Sequence, residues 1–252
     1  MEPYVNRLTD NRGVCTITFF HPQSNSLPGV ILRLLAKTIR DVGTDDEVKV
    51  IVLKSGGDRA FCAGASFDEL TAIKDADEGK TFFSGFAEVI NACRTCPKLI
   101  IGRVQGKAVG GGIGVASSVD YCLATKYAAI KLSELSIGIG PFVVGPAVER
   151  KLGTSAFSEL AIDASSWRSA EWAKARGLYA DVFESATELD AAVDELAGRL
   201  AEYNPEAMKN MKMYFWKGTE HWDDMLEERA AMSGKLVLSD FTREAIARFK
   251  EG

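Results

Sequence analysis

The stretch KLIIGRVQGKAVGGGIGVASSVD, residues 98–120, runs from an apolar, β-branched segment into three consecutive glycines and, two residues later, a fourth. Lys98–Gln105 reads as a buried strand and the residues after the glycines as a short apolar helix, so the local order is strand, glycine turn, helix. Glycine costs a helix about 1 kcal/mol relative to alanine, so a cluster at a helix start needs a reason for bare backbone. Two physical reasons compete. The helix can pack close on the sheet, or a bound group can approach the N–H groups that a first helical turn leaves without partners.

A second glycine turn, AFCAGASF (Ala60–Phe67), follows the strand-like VKVIVLK (Val48–Lys54). Two such turns facing one another would aim two amides at a single oxygen, as an oxyanion hole does. The dinucleotide pattern G-x-G-x-x-G fails, because Gly112 and Gly114 are followed by Ser117 where the third glycine belongs, and no phosphate-loop lysine is present. A nicotinamide oxidoreductase is therefore disfavoured.

Further strands are expected at Val14–Phe20, Asp120–Ala124, Ala128–Ser133 and Ala180–Ser185, and amphipathic helices at Pro28–Val42 and Thr81–Ala92. After Gly145 the pattern is almost entirely helical. Leu189, Ala192, Val193, Leu196 and Leu200 mark one apolar stripe, and Pro205 fits the first turn of the next helix. No period of 20 to 50 residues repeats clearly. The fold class is α/β with a mainly helical end, divided into 1–190 and 191–252.

The 252 residues carry a net charge of −5, and no run of Lys or Arg exceeds two, which argues against a nucleic-acid surface. No eighteen-residue apolar run occurs, and the first residues lack a basic-then-apolar leader, so a cytoplasmic protein without a membrane partner is expected. Five scattered cysteines suit reduced thiols. Cys93 and Cys96 form a lone CxxC with no second pair and with His21 and His221 far away in sequence, so they read as packing cysteines and no metal is expected.

For acid/base work the notable carboxylate is Glu134, in KLSELSIGIGP, between an apolar strand and a Gly/Pro loop. It is either shielded, with its pKa raised toward neutrality, or a solvated glutamate at a strand end. Neither histidine stands near a serine or cysteine in a nucleophile-elbow context.

Together, AFCAGASFDEL, GRVQGKAVGGGIGVASSVDYCLAT and AIKLSELSIGIGP resemble the signature regions of the crotonase, or enoyl-CoA hydratase/isomerase, superfamily. DASSWRSAEWAKARGLYADVF is similar to a later segment of that family. The resemblance implies a crotonase-like spiral of ββα units over 1–190 and a helical trimerisation region over 191–252, giving a homo-oligomer, a trimer or a dimer of trimers. It also implies an acyl-CoA thioester substrate, with no cofactor beyond the coenzyme A of that substrate.

Carried over by position, the N–H groups of Ala65 and Gly111 would form the oxyanion hole and Glu134 would be the acid/base. Ala63, Gly64, Phe67, Leu70, Gly114, Pro141, Phe142 and Val143 would line the substrate site. Phe249 and the turn His21–Leu27 would touch coenzyme A. The sequence departs from the family in three places. Gly114 stands where hydratases usually carry a first glutamate, Phe142–Val144 replaces a glycine-rich loop, and Ser66 replaces a frequent aspartate. Bacterial members similar to methylglutaconyl-CoA hydratases share the first two departures, so hydration is expected, with water seated partly in the space at Gly114. Double-bond isomerisation by the same glutamate, or a catalytically idle acyl-CoA binder, is the alternative.

Overall fold

The structure is a computed structural model that describes residues 1–251, with side chains described through residue 248. β1 (Tyr4–Thr9) and β2 (Val14–Phe20) form a hairpin. Its turn is closed by Asp10, whose carboxylate accepts the N–H groups of Arg12 and Val14 at 2.9 and 3.0 Å. α1 (Gly29–Gly43) leads to β3 (Val50–Ser55), α2 (Phe67–Ala72) and α3 (Ala76–Thr95). β4 (Leu99–Val104), the short β5 (Ala108–Val109) and α4 (Gly111–Ser118) follow, then β6 (Tyr121–Thr125) and β7 (Ile130–Lys131). A 3-10 turn, Glu134–Ile137, precedes α5 (Gly145–Ile162), which is broken at Gly153, where φ is +77°. The chain ends with α6 (Ala170–Ala175), β8 (Asp181–Phe183), α7 (Ala186–Ala201), α8 (Pro205–Phe215), α9 (Trp222–Leu236) and α10 (Asp240–Glu251).

Six strands form one sheet in the order β1-β2-β3-β4-β6-β8, parallel except for the β1–β2 hairpin. β5 and β7 form a second, small sheet, extended by single bridges between Leu27 and Ala65, Cys62 and Ala108, and Ile130 and Arg168. Each pass of the chain thus crosses the large sheet, then the small one, then enters a helix, which is the spiral of ββα units. Successive strand residues face opposite sides. Cys15, Ile51, Leu53, Ile100 and Cys122 enter the main core, whereas Val14, Val50, Val52, Ile101 and Leu123 face the other side.

That other face is covered by Leu189, Val193, Ala197 and Ala201 of α7. The expected division at 190/191 falls inside this helix, so α7 is a layer of the core. Arg103, buried on β4, reaches Asp190 of the same helix through two bonds at 2.8 and 3.0 Å. α3 begins at Ala76, ahead of the expected Thr81, because the Asp75 carboxylate caps it by accepting the N–H groups of Asp77 and Glu78. The five cysteines are buried free thiols, and burial pushes the Cys93 thiol up to about 12.

Candidate active site

The small sheet brings the two glycine turns together. The Phe61 and Cys62 N–H groups donate to the Lys107 carbonyl at 3.0 and 3.2 Å, and the Val109 N–H donates to the Cys62 carbonyl at 2.9 Å. Gly64 has φ +91°, and a Cβ there would lie 2.9 Å from the Val109 carbonyl and 3.6 Å from the Gly111 nitrogen. Only glycine fits this conformation and approach. The turn His21–Leu27 braces the first glycine turn from outside. The Asn25 amide donates to the carbonyls of Gly56 and Ala60, both at 2.9 Å, and the Leu27 N–H donates to the Gly64 carbonyl at 2.8 Å. Ser66 caps α2 by accepting the Glu69 N–H, and the Glu69 carboxylate in turn accepts the Gly29 N–H at 2.6 Å, tying α2 to the start of α1.

The glycine run divides by purpose. A Cβ at Gly112 would lie 2.6 Å from the Cys62 carbonyl, and one at Gly114 would lie 2.5 Å from Cγ1 of Val144. These two are bare so that helix and neighbours can pack. Gly110 (φ +51°) and Gly111 border a cavity, and Gly111 is bare also because the Phe86 ring packs against it. Intrahelical bonding in α4 begins with the N–H groups of Ile113 and Gly114, both donating to the Gly110 carbonyl. The N–H of Gly111, at the helix start, has no partner inside the helix.

The cavity has a volume of about 60 Å³. Ala63, Gly64 and Ala65 form its rim on the first turn, with Phe67 and Leu70 of α2 beside them. Pro141, Phe142 and Val143 line it from the loop before α5, and Glu134 enters from the 3-10 turn. Gly114 does not line it. The room expected there for a water is filled by the Val144 side chain, and Val144 itself lines the cavity. The glycine at 114 and the bulky loop are two halves of one packing contact. Phe249, expected near coenzyme A, lies outside the residues whose side chains are described.

Glu134 is partly accessible as a residue, but its carboxyl group is sealed. Oε2 is buried without a hydrogen-bond partner, and a Cβ on Gly110 would lie 3.0 Å from Oε1. Burial raises its pKa to about 7, partly offset by a bond from its own backbone N–H. Such a group holds a proton about half the time at neutral pH, so it can give or take one.

The sequence pattern of the family described as Enoyl-CoA hydratase/isomerase matches residues 9–252. The chain belongs to the enoyl-CoA hydratase/isomerase family. It is 31% identical to the mitochondrial methylglutaconyl-CoA hydratase of Mus musculus, over 84% of this chain and 68% of that one. It is 27% identical to the short-chain-enoyl-CoA hydratase of Clostridium acetobutylicum, over 94% and 91% of the two chains. A crystal structure of an enoyl-CoA hydratase from Mycobacterium avium superposes with a TM-score of 0.85 at 25% identity, covering 100% of this chain and 97% of that one.

As an enoyl-CoA hydratase/isomerase family member, this chain also places in the cavity several residues that the sequence did not single out. Phe83 and Phe86 come from α3, Ile137 and Ile139 from the segment after Glu134, and Ser233 from α9. The available signal was a pair of helical glycines. A Cβ on Gly79 of α3 would lie 2.6 Å from the Gly234 carbonyl of α9, so the two helices cross with their backbones touching. That contact draws Ser233 in. Neither His21 nor His221 lines the cavity.

Proposed function

We propose that this protein adds water across the C2=C3 bond of an enoyl-CoA thioester, with Glu134 as its acid/base and the N–H groups of Ala65 and Gly111 as the oxyanion hole. The observation that carries this reading is the buried Glu134 carboxyl, its Oε2 without a hydrogen-bond partner and its pKa about 7, beside an apolar cavity between two glycine turns. As the water oxygen bonds to C3, the C=C electron pair moves onto the thioester as an enolate. Donors fixed at that oxygen contribute about 3 kcal/mol each in known oxyanion holes. Protonated Glu134 gives its proton to C2, and the resulting carboxylate takes the proton released by the added water. One carboxyl is thereby restored, and no second acid is needed.

A specific observation favours isomerisation as the second reading. With Val144 packed onto Gly114, Glu134 is the one carboxylate among the described residues lining the cavity. In that reaction its carboxylate removes a proton from C2 of a 3-enoyl-CoA and returns it at C4, moving the double bond to C2=C3.

The test is turnover of crotonyl-CoA, 3-methylglutaconyl-CoA and a 3-enoyl-CoA by the wild type and by Glu134→Gln. Hydration predicts loss of the enoyl chromophore of crotonyl-CoA or of 3-methylglutaconyl-CoA by the wild type, and about 10²–10⁴-fold slower loss by the variant. Conversion of the 3-enoyl-CoA alone selects isomerisation. No turnover of any of the three returns the chain to an acyl-CoA-binding role. The same reading assigns the helices after α7 to assembly of a trimer or dimer of trimers, supported by apolar side chains that α8 leaves outside, Met213 at 64% and Tyr214 at 75% exposed.

A further inference from the structure

The walls of the cavity are braced from behind. Phe83 and Phe86 pack edge-on against Phe82, with ring centroids 5.3 and 6.1 Å away, and the Phe86 ring presses against the bare backbone of Gly111. Val144 is seated on Gly114, and α9 is held on α3 by the Gly79–Gly234 crossing, which closes the end of the cavity at Ser233. Retraction of any of these walls would open a void in a close-packed interior.

Size and charge then both restrict an occupant. At roughly 10–15 Å³ of such room per water-sized group, the cavity of about 60 Å³ holds on the order of four to six non-hydrogen atoms. An eight-carbon acyl group exceeds that room by about a factor of two. Glu134 is the one ionisable side chain in the described lining, and no lysine or arginine joins it. Arg229 touches the wall only through its bond to the Phe142 carbonyl, at 3.3 Å, and is not among the lining residues. An acyl group ending in a carboxylate would bury an unpaired anion in the company of another acid.

We propose that this cavity selects short, uncharged acyl groups and excludes both long chains and acyl groups that end in a carboxylate. The proposal rests on the acyl-CoA reading above and names its substrate class. It is tested without turnover, by titration calorimetry of the wild-type protein with butyryl-CoA, octanoyl-CoA and glutaryl-CoA, which share the coenzyme and differ in the acyl group. Butyryl-CoA is expected to bind about 100-fold more tightly than either of the others, within the range that a misfit group in an apolar pocket gives. Octanoyl- or glutaryl-CoA binding within about threefold of butyryl-CoA overturns the proposal, since no excluded group would bind so nearly as well. All three binding no better than free coenzyme A overturns the acyl-CoA reading itself. The variant Phe142→Ala, at a partly exposed wall position, is expected to raise octanoyl-CoA affinity by about tenfold, and no gain removes Phe142 from the selecting wall.

Discussion

At the scale of single residues, Glu134 is held where its charge is unwelcome. A carboxyl with a folded-state pKa of about 7 against an ordinary 4.5 binds more protons folded than unfolded between those values. Its contribution to stability is therefore fully present below about pH 4.5 and lost as pH rises through 7, a swing on the order of 3 kcal/mol. Glu134→Gln removes the titration. Urea unfolding is expected to show the variant gaining on the wild type from pH 5 to pH 8 by up to about that amount. The acid/base role proposed for Glu134 predicts the pH profile of kcat/KM: hydration starts from the protonated group and is expected to fall above about pH 7, whereas isomerisation starts from the carboxylate and is expected to fall below it.

At the scale of elements, the molecule depends on polar ties as well as on its core. Asp120, between α4 and β6, accepts the Lys212 ammonium of α8 at 2.8 Å and the Trp216 indole N–H at 2.9 Å. It also accepts the Ile100 N–H of β4 at 2.8 Å, while its own carbonyl takes Lys151 of α5 at 2.9 Å. The Lys212 and Asp120 side chains are only 2% and 4% exposed. Asp120→Ala would leave a buried ammonium without its anion, a loss of about 3–5 kcal/mol readable as a lower denaturation midpoint. Lys212→Met in the same background should recover part of it, since the stranded charge is then gone. None of this was legible in the sequence, where Asp120 reads only as the start of a strand.

At the scale of the whole molecule, the spiral is a repeat hidden by its inserts. The parallel strands of the large sheet begin at Val14, Val50, Leu99, Tyr121 and Asp181, at intervals too uneven to appear as a period. β1 escaped notice because four of its six residues are exposed, leaving little alternation, and β5 because two residues carry no pattern. The apolar surface left by α8 bears on assembly. Light scattering is expected to give a trimer or a hexamer, and a monomer at micromolar concentration would remove the role assigned to the helices after α7.

The alternation of strand and helix, the two glycine turns and the position of the candidate acid were all legible in the sequence. These follow from periodicity, turn chemistry and spacing, which are local. Whether Glu134 was buried or solvated was a matter of tertiary structure, because its carboxyl packs against the backbone of Gly110, which belongs to another segment and is adjacent only in space. Tertiary structure likewise decided that Gly114 offers packing room to Val144 and none to water. A volume is shared between two segments, and neither one records how the other fills it.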